Sequence, residues 1–119
     1  MKVFIYFNLH KKVWSVKALE GENKGRVINH VSNIILKDAK FKVSEAGRQR
    51  VLKEKKKNVH AGVVGTISDE IPVALYERVT YNPYKYSTFI KMSNQESILS
   101  SKCVVFDGKV VHAHPEVAF

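Results

Sequence analysis

Short apolar, strand-like segments separated by polar turns make up most of this chain, interrupted near the middle by one stretch of helical period. "VFIYFNL" and "VWSVKAL" are rich in β-branched and aromatic residues, the composition of half-buried strands. Between "RVINHV" and the second of these lies "EGENKG" (Glu20–Gly25), a polar stretch with two glycines that reads as a turn. After Ser32-Asn33, "IILKDAKFKV" gives a further strand. No helical pattern separates these segments, so the N-terminal third predicts an antiparallel meander and not a βαβ unit.

The period then changes. Ser44 is an N-cap candidate, and Glu45 stands in the first turn, where the helix dipole favours a carboxylate. Lys55, Lys56 and Lys57 fall in the expected last turn, where cations are favoured, and Asn58 suits a stop. The spacing predicts one main basic helix over about residues 44–57. Steps of about 100° put Arg48, Val51, Leu52 and Lys55 on one face and Arg50, Lys53 and Lys57 on the other. The second stripe reads as a solvated face. Arg48 shares the Val51/Leu52 face, so its head must snorkel to water or find an anionic or carbonyl partner.

Strand patterning returns at "VHAGVVGTI", where Gly62 and Gly65 suggest a bulge or a close backbone approach. "VALYERVTY" alternates Val73, Leu75, Glu77 and Val79 against Ala74, Tyr76, Arg78 and Thr80. "NPYKYS" is a loop built on Asn82-Pro83. "TFIKM" adds a strand, and "KCVVFDGKVVHAH" a hairpin about Asp107-Gly108. With 119 residues and no low-complexity linker, residues 1–119 form a single α+β domain, mostly antiparallel sheet with one main helix.

Charge narrows the partners. Twenty Lys and Arg against 11 Asp and Glu give +9, and Ser44–Lys57 holds six of the cations against two glutamates. A balance of this size favours an anionic partner: nucleic acid, a nucleotide or an acidic protein. No apolar run approaches the ~20 residues of a membrane span, and no signal-peptide pattern opens the chain. The single cysteine, Cys103, fits a reducing compartment, so a cytoplasmic protein is expected.

The most distinctive short stretch is "YNPYKYSTF" (Tyr81–Phe89), with three of the five tyrosines beside Lys85. Aromatic faces next to a cation suit stacking of a base, which makes Asn82 and Tyr84 candidate ligand contacts; a rigid turn closing the core is the competing reading. "HAH" places His112 and His114 on one strand face, but no further ligand stands at zinc-like spacing, so no metal is expected. His60 and Cys103 read as structural. Phosphate-loop, dinucleotide, zinc-protease and nucleophile-elbow signatures are absent, and carboxylates are scattered. The chain reads as a binding protein with no catalytic residues and no cofactor.

Taken together, "NLHKKVWSVKAL", "KGRVI", "FKVSEAGRQRVLKEKKKNVHAGVVG" and "YNPYKYSTF" resemble a family of small phage and prophage proteins over most of the chain. They are also similar to one branch, the first Thoeris anti-defence family of viral sponges, which bind cyclic ADP-ribose isomers and in some members cyclic oligonucleotides. The resemblance implies a dimer-based homo-oligomer that sequesters an immune signal, without cleaving it, in the cytoplasm of the infected host. It implies that Arg26, in "KGRVI", holds a phosphate and that Phe89 stacks on the base. A second phosphate-holding arginine is expected near the chain's end, where this sequence has Lys109; lysine keeps the charge but loses the two-pronged grip. Arg48 and Arg50 remain candidates from the helix argument alone. Two alternatives stand beside this reading: a nucleic-acid-binding protein using the Arg50/Lys53/Lys57 stripe, and an inhibitor whose basic face meets an acidic host protein.

Overall fold

In the computed structural model, which describes residues 1–8, 11–55, 59–70 and 76–114, the alternating segments form strands of one antiparallel sheet. The strands are β1 (Lys2–Asn8), β2 (Val13–Ala18), β3 (Val27–Val31), β4 (Asn33–Val43), β5 (Ala61–Ser68), β6 (Glu77–Thr80), β7 (Ile90–Lys91), β8 (Ser100–Asp107) and β9 (Val110–Ala113). One helix, α1 (Glu45–Glu54), joins β4 to β5. The strand order is β3-β2-β1-β5-β4-β8-β9-β6-β7. The α+β fold expected from the patterning is the fold observed.

The simple meander is not. β1, β2 and β3 pair in sequence order, but β4 lies beyond β5, four places from β3. Only Ser32 separates β3 from β4, so Val31 and Asn33 are two Cα steps, at most about 7.6 Å, apart. Four strand spacings in a flat sheet would span about 19 Å. The sheet must therefore curl until β3 and β4 run on as one bent strand. Contacts across the seam hold it: the Trp14 indole Nε1–H donates to the Gly108 carbonyl at 2.6 Å, and the Gly108 N–H donates to the Ser32 carbonyl at 3.0 Å. Periodicity cannot show this, because it reports which face a residue takes and not which strand it pairs with.

Inside the curl, Val3, Ile5, Val16, Leu36, Val63, Val104 and Phe106 are buried almost completely. Each such side chain contributes about 1.5–3 kcal/mol of hydrophobic stabilisation. Trp14 packs edge-on to both Phe7 and Phe106.

The helix begins as the sequence predicts, with the Ser44 hydroxyl accepting from the Gly47 N–H at 3.2 Å. It ends earlier. Lys55 takes the left-handed conformation, φ 56°, and its N–H donates to the Val51 carbonyl, so Lys53 is the cation of the last turn. The chain has to reverse there because Val43 and Ala61 pair directly across the loop. Lys56, Lys57 and Asn58 lie outside the described residues, as do Val73, Ala74 and Leu75 of the predicted alternation.

"TFIKM" contributes only the two strand residues of β7. The terminal hairpin turns one residue later than expected, on Gly108-Lys109, since Asp107 pairs with Val110. A positive φ of 60° at Gly108 alone is the pattern of a II′ turn, whose first loop position favours glycine. Among the described residues, no helix is long and apolar enough to cross a membrane.

Candidate functional site

The curl leaves a cavity of about 250 Å³ at the end of the sheet where β1 finishes and β5 begins. Its walls come from Phe7 and Trp14, from Ala61, Gly62 and Val63, from Thr80 and Tyr81, and from Phe89, Phe106 and Lys109. Lys109 is the only charged residue among the described residues that line it. Its turn is fixed from two sides, through the Gly108 carbonyl to Trp14 and through the Gly108 N–H to the Ser32 carbonyl and the Asn33 side chain. Among the described residues the site is thus apolar and ring-lined, with one cation.

One wall is a chain of aromatic contacts. The Phe89 ring lies 5.0 Å from Phe41 and stacks on Tyr81 at 5.1 Å and 29°. Tyr81 in turn meets His60 edge-on, and its hydroxyl shares a 2.6 Å hydrogen bond with His60 Nε2. Burial pushes the Tyr81 phenol above its ordinary value, against the opposing effect of the nearby Arg48 charge. His60, which the sequence marks only as structural, therefore orients a cavity wall. Tyr81 and Trp14 escape sequence reasoning as site residues because nothing local distinguishes a ring facing a cavity from one filling the core.

Arg48 finds the carbonyl partners that its place on the apolar face demands. Its Nε–H donates to the carbonyls of Pro83 at 3.0 Å and Tyr86 at 2.8 Å, and NH1 donates to Glu45 at 3.0 Å. The Gln49 hydrogen bond, and then Arg48, hold the Glu45 carboxyl below its ordinary range. Asn82 works from within the same loop: its side-chain oxygen accepts from the Tyr84 N–H, and its carbonyl from the N–H groups of Lys85 and Tyr86. Arg48 and Asn82 thus shape the tyrosine loop in this chain. Tyr84 projects from it, 61% exposed.

Of the seven sequence candidates, the structure brings Phe89 and Lys109 into one cavity. Arg50 and Tyr84 are exposed and do not line it. Arg26 belongs to the opposite end of the sheet: its carbonyl accepts from Ala18, which pairs with Val3, whereas the cavity opens beside Phe7 and Trp14. Four residues along β1 put these ends about 13 Å apart.

His112 and Tyr76 line a second, shallower cavity of about 200 Å³ with Val105 and Asp107. Burial, then a hydrogen bond with the Cys103 thiol, pushes the Tyr76 phenol up to about 12. Burial likewise raises Cys103, whose side chain is enclosed. Among the described residues, no group of three or more His, Cys, Asp or Glu is placed to hold a metal ion.

Comparison with known proteins places the chain among phage proteins. Residues 1–114 match the family described as the Mycobacterium phage L5 gene 82 protein. The Gene 82 protein of Mycobacterium phage L5 is 39% identical over 120 residues, covering 95% of each chain. No solved structure matches.

Proposed function

The chain belongs to the family of the Mycobacterium phage L5 gene 82 protein, and from that premise we propose that it is a non-catalytic phage protein that binds and sequesters a small ring-bearing anion, of the cyclic nucleotide class. The observation that carries this reading is the meeting of Phe89 and Lys109, twenty positions apart in sequence, in one aromatic cavity. Apolar walls with few polar groups are the usual make-up of a small-molecule site. A ring enters such walls at little cost, while a phosphate would stay at Lys109, where a cation offsets its charge.

At about 250 Å³ the cavity falls just below the roughly 300–1,000 Å³ of complete ligand pockets, so one chain accommodates a base more readily than a whole dinucleotide. Further cations for a cyclic ADP-ribose-type ligand would come from a second copy, with Arg26 as the candidate contributor. This is the dimer-based, anti-defence form of the proposal, acting in the cytoplasm of the infected cell; it rests on the sequence resemblance to the Thoeris sponges.

The test is native mass spectrometry of the purified protein with cyclic ADP-ribose isomers and cyclic di- and trinucleotides, followed by analysis of the released molecule. The expected result is a stoichiometric complex, recovery of intact ligand, and at least tenfold weaker binding by Lys109→Ala. A ligand released in cleaved form, or no complex with any of these compounds, would sink the proposal.

A further inference from the structure

The curled sheet has an outer face; Tyr6 and Gly62 on it also border the cavity, and the remaining side chains form a pattern that extends beyond it. On β1, Val3 and Ile5 point inward and are fully buried, so Lys2, Phe4 and Tyr6 point outward. Phe4 pairs with Lys17 on one side and Val64 on the other, and Val64 pairs with Lys40, giving an outward row Lys17, Phe4, Val64, Lys40. In the flanking rows Lys2 and Lys37 both pair with Thr66, and Lys42 pairs with Gly62. Phe4 and Tyr6 lie 5.8 Å apart at 34°, and the Phe4 ring rests on Gly62, where a Cβ would come within 2.5 Å of it. The two rings remain partly exposed, and Lys37, Lys40 and Lys42 are exposed. The one acidic residue within this stretch of β4 is Asp38, in the bulge between Lys37 and Lys40.

We infer that this face binds single-stranded nucleic acid, with bases on Phe4 and Tyr6 and phosphates on the flanking lysines. Lys17 and Lys40 stand three strand spacings apart, about 14 Å, with the rings between them. That arrangement, an aromatic centre on a sheet bracketed by cations, lets unpaired bases stack while the backbone runs over positive charge. A duplex would meet the same lysines but offer no free base to the rings. The surface differs from the helix stripe that the sequence suggests, and it borders the nucleotide cavity, which Tyr6 and Gly62 also line.

The experiment is fluorescence anisotropy of labelled oligo(dT) and oligo(U) of about 15 nucleotides, and of a duplex of equal length, titrated with the full chain at several salt concentrations. Single strands should bind more tightly than duplex, with affinity falling as salt rises. The triple variant Lys17→Glu, Lys40→Glu, Lys42→Glu should bind at least tenfold more weakly and with a shallower salt dependence. Phe4→Leu, which keeps apolar bulk at a ring that does not line the cavity, should lose about tenfold, the effect of one stacked base, with the salt dependence unchanged. Far-UV circular dichroism confirms that each variant folds, and acetylation of the wild-type protein, slowed at Lys40 and Lys42 by oligonucleotide, tests the surface without substitution. Absence of oligonucleotide binding, equal binding of duplex, or a loss seen in Arg50→Glu, Lys53→Glu and not in the sheet variant would each overturn the inference.

Discussion

Arg48 illustrates how a single residue's position can matter more than its charge. A cation on the apolar face of a short helix has to be neutralised or hydrogen-bonded, and here the carbonyls of Pro83 and Tyr86 accept from it while Glu45 supplies the counter-charge. Its side chain is only 15% exposed, so these bonds are shielded from water. Arg48→Ala is expected to cost about 1.5–3 kcal/mol in urea denaturation, the range for hydrogen bonds to a charged group. Hydrogen exchange at the amides of Lys85 and Tyr86 should accelerate as the loop loosens. Tyr76 gives a second residue-scale prediction. Its phenol is raised from 10 to about 12, so the unfolded chain releases this proton at lower pH than the folded one. The stability tied to Tyr76 is complete below about pH 10 and is lost as pH rises toward 12. Tyr76→Phe should remove the latest phase of phenolate absorbance and flatten the alkaline fall in denaturation midpoint over that window.

At the scale of elements, the β1–β5 pairing depends on a missing side chain. A Cβ at Gly62 would fall 2.4 Å from the Ile5 carbonyl oxygen as well as against the Phe4 ring, and the obstructing carbonyl is main chain that cannot rotate aside. Gly62→Ala should therefore destabilise by about 1–3 kcal/mol, the cost of overpacking, with faster exchange of the amides joining β1 and β5. The glycine was legible as a sign of close approach, but its partner was not. Helix α1 shows the same division. Its start is written in Ser44 and Glu45, because capping is local. Its end is set by the need to bring Ala61 back beside Val43, a distant requirement that overrides the favourable placing of lysines in a longer last turn.

For the whole molecule, closure of the curl is the decisive event, and Trp14 serves it twice, as an edge-on core ring and through its indole donor to Gly108. Trp14→Phe keeps most of the ring and removes the donor. It should lower stability by about 1 kcal/mol in urea denaturation, the net value of one neutral hydrogen bond. It should also release the Gly108-Lys109 turn, seen as faster exchange of the Gly108 amide. Because that turn carries Lys109, the same variant should weaken any anion held at the cavity, measured by the native mass spectrometry used for Lys109→Ala.

The sequence alone determines the strand and helix content, the N-cap, and the positive charge, because each depends on neighbouring residues or on composition. It also narrows Arg48 to a carbonyl or anionic partner, since burial of a guanidinium leaves few alternatives. Only the tertiary structure decides that β4 leaves the meander, that Phe89 and Lys109 share a cavity with Tyr81 and Trp14, and that Arg26 stands at the other end of the sheet. Those outcomes depend on which strand edges pair at long range and on how far the sheet curls, and a period-two pattern is compatible with many such pairings.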